Sequence, residues 1–406
     1  MRVLLFVYLI GFCYSDSFFR NLEDFGDSSG ISVANVENGA NLYLASNDKA
    51  FKLARITFSS GGKTTLGNVL LGQFNDDGSL KALPVSSDLK ISSTNSKDDT
   101  DGLVGYFFIS TAEQAKDPNF SVFVVRDEEQ VIDMSTKSES SIVFLNLKYN
   151  QSAGDPVYKP YYNSRFYGLS QPKTTKFHLY QSLPNNGYKN TTFKETYANR
   201  IFSNPLALAP LNLDKQEFFF DNIEPIQFSS RTCWMHIFGG MKFNISGVYV
   251  DQVSYTTTSV TTTGLTMYQF HAVDASVTFL VTPNHNRTTG LLTSANLFDN
   301  LNITLTDANM GRSIETFPAG YSNNNVLFST DLAATSMVVK PQSDNTGFWF
   351  IQYFGIDGID LPTTSTAVQT TTIPTTTTTT TVQTTTSSTG IIKYLVALVL
   401  SLILVL

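Results

Sequence analysis

The sequence predicts an all-β fold: tandem antiparallel β-sandwiches of the jelly-roll kind, a disordered Thr-rich stalk, and two hydrophobic ends removed by processing. Three observations predict it. Short β-branched and aromatic runs recur between clusters of Gly, Asn, Asp and Ser, among them LARITF, GYFFI, SVFVV, SIVFLNL, ASVTFLV, LNITL, TSMVV and GFWFIQYF. Helical periodicity is nearly absent. Charged residues make up 15% of the chain and aromatic residues 13%, which supplies large cores and a sparsely charged surface.

The chain opens with MRVLLFVYLIGFCYS. Arg2 supplies a positive start, Val3 to Phe12 an apolar run, and Cys13 and Ser15 the small residues of a cleavage site after Ser15. Residues 1–15 therefore read as a secretory signal peptide. Two domains are expected after it, with a boundary near 190. Residues 16–190 form a β-rich N-terminal domain that ends in an irregular connection. In that connection the Tyr-, Pro- and Asn-rich stretch 151–190 holds a strand or two. Residues 191–357 form a second sandwich. TTFKETYANRIF (191–202), with Thr191 or Thr192 as N-cap and Glu195 following, is the best helix candidate. TAEQAKD (111–117) reads as one helical turn.

Residues 358–389 are a Thr-rich, mucin-like stalk, too poor in large apolar groups to fold. Residues 390–406 form a hydrophobic tail. Its apolar part, Tyr394 to Leu406, would span only about 20 Å as a helix, against roughly 30 Å of hydrocarbon. A short apolar tail behind small residues is the pattern of a glycosylphosphatidylinositol signal, with Ser388 as attachment residue and Ser387 or Gly390 as alternatives. The expected location is the extracellular face of the plasma membrane, reached by the secretory pathway and held by the lipid.

The net charge of −7 argues against nucleic acid and against a strongly anionic membrane as partners. Six sequons, at Asn119, Asn150, Asn190, Asn244, Asn286 and Asn302, are candidate N-glycosylation sites. No cofactor or metal is expected. The four histidines, His178, His236, His271 and His285, are scattered and show no metal-ligand spacing. His271 with Asp274 is a candidate oriented base, a pairing common by chance. SSGGKTTLGN (59–68) imitates a phosphate loop, but Thr57 stands where that pattern needs Gly, so a β-hairpin turn is expected. Asp127, Glu128 and Glu129 read as a solvated turn. No nucleophile elbow and no His-Glu-x-x-His occurs, so no enzyme activity is expected.

Two stretches echo each other. SSDLKISSTNSKDDTDGLVGYFFI (86–109) and STDLAATSMVVKPQSDNTGFWFI (329–351) both run from a Ser/Thr-Asp-Leu turn to a Gly-aromatic pair, Gly105-Tyr106 and Gly347-Phe348. Each is consistent with two strands separated by a polar turn.

TCWMHIFGGMKFNISGVYVD (232–251), with Cys233, Trp234, Ile237, Gly240, Phe243 and Ile245, resembles the early core of a CUB domain. VLFSTDLAATSMVVKPQSDNTGFWFIQYF (326–354) resembles the end of one, through Ser343-Asp344, Gly347-Phe348 and Tyr353. The resemblance covers roughly 225–357, with a further CUB-like repeat considered within 16–112. It implies an antiparallel sandwich and a structural role for Cys233, Trp234, Gly347 and Phe348. The overall layout is similar to CUB-like nematode surface proteins, some of them tied to responses to infection. The family's disulfide partner for Cys233 is missing. Asp251 and Asp344 alone do not make a calcium site, so calcium is not expected.

Cys233, alone once the signal peptide is gone, reads first as a buried small hydrophobe, then as an interchain disulfide, then as a nucleophile. The functional expectation is a non-enzymatic surface recognition or adhesion protein for an extracellular protein or glycan, acting through loops at one edge of a sandwich. A structural glycoprotein coat and a secreted hydrolase are the alternatives. An exposed aromatic patch favours recognition. A uniformly polar surface favours the coat. A deep pocket around His236 or His271 favours the hydrolase.

Overall fold

The computed structural model describes residues 18–22, 30–95, 103–147, 163–189, 199–207, 217–250, 254–267, 274–281, 287–307, 311–330, 333–343 and 346–357. Their regular secondary structure is nearly all strand, arranged in pairs of stacked sheets, as the sequence predicts.

The first sandwich holds β1 (Phe18–Asn21), β2 (Ile31–Ser32), β3 (Ala40–Ser46), β4 (Ile56–Ser60), β5 (Lys63–Leu66), β6 (Leu83–Val85), β7 (Lys90–Ser93) and β8 (Gly105–Ile109). Its sheets run β1-β8-β3-β6 and β2-β7-β4-β5, all antiparallel. Chain order alternates between the two sheets except at the β4–β5 hairpin, which is the jelly-roll winding. In such a winding the connections after the first, third, fifth and seventh strands gather at one end. Gly61 and Gly62, both at positive φ, make the β4–β5 turn, so the phosphate-loop mimic is a hairpin.

The same order recurs twice. In the second sandwich β10 (Gln130–Asp133), β19 (Lys242–Ser246), β12 (Asn163–Ser170) and β17 (Ile226–Ser229) form one sheet. The other holds β11 (Glu139–Asn146), β18 (Thr232–Phe238), β13 (Lys176–Gln181) and β14 (Arg200–Asn204). In the third, β21 (Thr262–Met267), β28 (Gly347–Asp357), β23 (Arg287–Leu297) and β26 (Ser322–Thr330) face β22 (Ala275–Thr278), β27 (Ala334–Pro341), β24 (Leu301–Asp307) and β25 (Gly311–Phe317). A leading strand precedes each later sandwich and pairs parallel to its second strand. These are β9 (Phe120–Val125) on β11 and β20 (Ser254–Thr256) on β22.

The expected boundary near 190 lies outside the described residues, in sequence between β13 and β14, both strands of the second sandwich. Of the expected helix 191–202, residues 191–198 lie outside the described residues, and Arg200–Phe202 are strand, paired with β13. The one-turn helix does form: α3 (Ala112–Lys116, after the turns α1, Ala50–Leu53, and α2, Gly67–Leu70) carries a capping box. The Thr111 hydroxyl accepts from Gln114 N–H, and the Gln114 side chain accepts from Thr111 N–H.

The echoing stretches are β7 to β8 and β27 to β28, the last two strands of the first and third sandwiches. The members of each pair lie in opposite sheets. Gly105 (φ +148°) and Gly347 (φ +103°) start the closing strands where a Cβ would strike backbone, at Ala45 O and Asn296 O. Both glycines therefore have the same backbone reason. The two CUB-like stretches also occupy one equivalent place, the last two strands of successive sandwiches, and do not open and close a single sandwich.

Strands on both sides of the seam between the first two sandwiches alternate between two cores. In β3, Leu42 and Leu44 enter the first sandwich, while Tyr43 and Ala45 face the second. In β8, Phe107 and Ile109 point in and Tyr106 and Phe108 point out. They meet Val143, Leu145 and Trp234 on the second sandwich, whose own core takes Phe144, Cys233, Met235 and Ile237. Each large apolar side chain so buried contributes about 1.5–3 kcal/mol.

Candidate functional site

The winding gathers loops at one end of each sandwich, and in the third these loops form a cross-bonded platform. Phe298 N–H donates to Thr346 O at 2.8 Å, and Asp299 N–H donates to the same oxygen at 3.2 Å. Leu297 N–H donates to Tyr321 O at 2.8 Å, and Gly320 N–H returns to Leu297 O at 2.9 Å. The Asn300 carboxamide oxygen accepts from Ala319 N–H at 2.9 Å, and Thr346 Oγ1 donates to Ser343 O at 2.7 Å. Three connections are thereby tied into one surface. On it the Phe298 side chain is 66% exposed. Phe348, 37% exposed, stands edge-on to Phe350 at 4.7 Å. Ser322, Asn323 and Asn324 are exposed at the start of neighbouring β26. A rigid aromatic face bordered by planar polar groups is chemistry for binding.

The equivalent end of the second sandwich is used internally. Its fifth-to-sixth connection carries the pair β15 (Leu206–Ala207) and β16 (Glu217–Phe218). There Leu206 and Phe220 pack with Phe354 and Ile356 of β28. Glu224, buried in the same connection, accepts from Thr258 N–H at 2.7 Å, Thr262 Oγ1 at 2.9 Å and Asn222 Nδ2 at 3.1 Å.

His236 faces inward. It lies on β18, fully buried, and its Nε2 meets Glu139 Oε1 at 2.9 Å. Burial lowers its pKa against the pull of Glu139, so the neutral ring donates through Nε2 and Nδ1 is left without a partner. Lys189 Nζ sits 3.8 Å from Glu139 and 2.9 Å from Asp117, which also accepts from Tyr188 OH at 2.6 Å. Burial pushes the Asp117 carboxyl up, but Tyr188, Lys189 and Asn119 N–H together hold it below the usual carboxylate range. Tyr188 and Trp234, stacked on Tyr180 at 4.1 Å, close over this group. The His236 ring is buried at the base of this polar cluster, whose Lys189 and Glu139 side chains reach solvent.

His178, half-buried on β13, meets Ser203 Oγ at 3.0 Å. Asp274 pairs with Lys340 at 3.7 Å, while His271 and His285 lie outside the described residues, as do Asp251 and Asp344. Asp127, Glu128 and Glu129 form an exposed turn, where Glu129 accepts from Tyr167 OH and Asn244 Nδ2. Cys233 and Trp234 are buried, and burial pushes the Cys233 thiol well up. Asn119, Asn244 and Asn302 are half-buried. Asn150, Asn190 and Asn286 lie outside the described residues, as do Ser387, Ser388, Gly390 and both hydrophobic ends. Among the described residues no helix is long and apolar enough to cross a membrane, and no His/Cys/Asp/Glu group is arranged to hold a metal.

Sequence reasoning missed Phe298. Its signal is a Phe inside the turn LFDNLN, directly after a strand and before Asp-Asn, where a large apolar residue has no core to enter.

Three jelly rolls in a row with a loop-end aromatic platform define the class as a multi-sandwich all-β protein. The chain belongs to the transmembrane glycoprotein family, whose match spans residues 37–403. It is thus a surface glycoprotein. No curated protein matches it. Among solved structures, an uncharacterized protein of Listeria monocytogenes is similar over 74% of this chain and 30% of its own, at 10% identity and TM-score 0.18. The cycloalternan-forming enzyme of the same organism, in complex with pentasaccharide substrate, is similar over the same shares at 9% identity and TM-score 0.18. The lipid-containing bacteriophage PM2 structure is similar over 84% and 100% at 9% identity and TM-score 0.17. The chain spans 30% of the length of the first two. Superpositions this poor establish no common fold.

Proposed function

We propose that this glycoprotein is a non-enzymatic recognition protein whose third sandwich binds an extracellular glycan through the loop end carrying Phe298 and Phe348. The observation that carries it is the two-thirds-exposed Phe298 ring on a loop fixed by backbone hydrogen bonds. A pre-ordered aromatic face loses little entropy on stacking against a sugar ring, and Asp299 and the Asn-rich start of β26 supply polar partners. A coat role would leave such a ring without purpose, and the His236 ring, buried and bonded to Glu139, does not present the open pocket that a hydrolase reading looks for.

In this reading the sandwiches, CUB-like in being antiparallel two-sheet modules, stand on the Thr-rich stalk above a lipid anchored at Ser388. Adhesion or defence is the setting such a layout serves. The test is binding of fluorescent glycan polymers to cells that display the full chain. Phe298→Ala should reduce binding at least about tenfold, the loss of one stacking contact at a central position. Binding unchanged in that variant, or absent from the parent with every polymer, overturns the proposal. Phospholipase release of the displayed chain tests the anchor separately.

A further inference from the structure

The loop end of the first sandwich has different chemistry. Four of the twelve exposed large hydrophobic side chains among the described residues lie there: Ile31, Phe51, Leu66 and Val69. Phe51 and Val69 are 59% and 56% exposed on the turns α1 and α2, which fill the third-to-fourth and fifth-to-sixth connections. The two turns touch: a Cβ on Gly67 would sit 2.7 Å from Leu53 O. Their inner residues already serve the core, with Leu53 buried in it and Leu70 and Leu71 packed against it. The outward apolar groups are therefore not surplus from folding.

Lys49 and Lys52 flank Phe51. The acid of the same segment is already engaged, since the half-buried Asp48 carboxylate accepts from Val104 N–H and from the Ser46 hydroxyl and feels the charge of Lys52. Apolar prongs beside long-stemmed ammonium groups match the depth profile of a bilayer. Rings and aliphatic groups enter the acyl boundary while lysines reach the phosphates. The chain's net charge of −7 disfavours a strongly anionic membrane and fits a zwitterionic one.

We propose that this end of the first sandwich docks onto a phosphatidylcholine surface, inserting Phe51 and Val69 with Lys49 and Lys52 at the phosphate level. This is a surface separate from the Phe298 platform. The test uses the full chain displayed on cells, with capture of fluorescent phosphatidylcholine vesicles as the readout. Capture should occur with phosphatidylcholine alone. It should fall about tenfold or more in the Phe51→Ser/Val69→Ser double variant and about threefold in Lys49→Gln/Lys52→Gln. Val131→Ser, an exposed valine on β10, should leave capture unchanged. Matching circular dichroism and thermal unfolding keep the comparison one of surfaces. No capture, capture that persists in the double variant, or capture that requires phosphatidylserine overturns the proposal. So does a concentration-dependent dimer that the double variant abolishes, which would assign the patch to a second copy of the chain.

Discussion

The Gln352 carboxamide lies against the Ser203 peptide as another strand would. Its oxygen accepts from Ser203 N–H at 3.0 Å, and its nitrogen donates to Ser203 O at 2.8 Å and to Thr263 Oγ1 at 3.0 Å. The contact joins β28 of the third sandwich to edge strand β14 of the second. Asn204 makes the same double bond with Phe220, and Gln227 with Val250. All three side chains are buried. Buried carboxamides pin the connections of this chain where many secreted folds use disulfides.

Gln352→Leu keeps the volume and leaves both Ser203 backbone groups unpaired. It should cost about 2–4 kcal/mol, read as a lowered midpoint in urea unfolding. Gln352→Glu should cost more, since a buried carboxylate would then face the Ser203 carbonyl.

Stability should fall with acid through His178. Burial first, then the charges of Arg200, His236 and Lys176, lower its pKa to about 3. The unfolded chain, near pKa 6.5, takes up that proton earlier, so stability present above about pH 6.5 is lost as pH falls toward about 3. The loss is on the order of 4 kcal/mol, and His236, lowered in the same direction, adds to it. Melting temperature measured from pH 7 to pH 4 should decline, and His178→Gln should flatten the slope.

Cys233 should resist alkylation by iodoacetamide in the native protein and react fully in denaturant, because its thiol is buried and its pKa raised. Cys233→Ser should cost about 1–2 kcal/mol and leave glycan binding intact. A covalent dimer on a non-reducing gel, lost in this variant, would contradict the burial.

Gly347→Ala should weaken ligand binding without touching a ligand. The added Cβ would lie 2.5 Å from Asn296 O and 2.8 Å from Phe298 N at a φ of +103°. The loop that holds Phe298 must then shift. Binding to displayed cells should drop while the melting temperature falls by only a few degrees, consistent with about 1–2 kcal/mol of local strain.

The strands were legible because β-branched and aromatic runs sit between turn residues. The winding was not. Runs such as GYFFI and SIVFLNL lack polar alternation because both of their faces are buried, one in their own sandwich and one against the next. That double burial merges neighbouring cores and hides the seams between sandwiches from composition. The expected helix at 191–202 ends in strand for a related reason: Ile201 and Phe202 enter the second core from an edge strand, where packing overrides a local N-cap signal. Cys233 was legible as a small hydrophobe among apolar neighbours. Phe298 and Phe51 were not, since one exposed ring in a turn looks in sequence like any other aromatic residue.

The closing strand β28 has a mechanical consequence. It lies between β21 and β23 and runs in register with β23 over eleven residue pairs. The proposed ligand platform sits at its first residue, and the Thr-rich segment follows its last. A pull between that platform and the far end of β28 would therefore act along the strand, loading its hydrogen bonds together in shear and not one after another as in a zipper. The third sandwich is wound to carry tension, and its rupture force should be high for pulling along this axis and low for pulling across it.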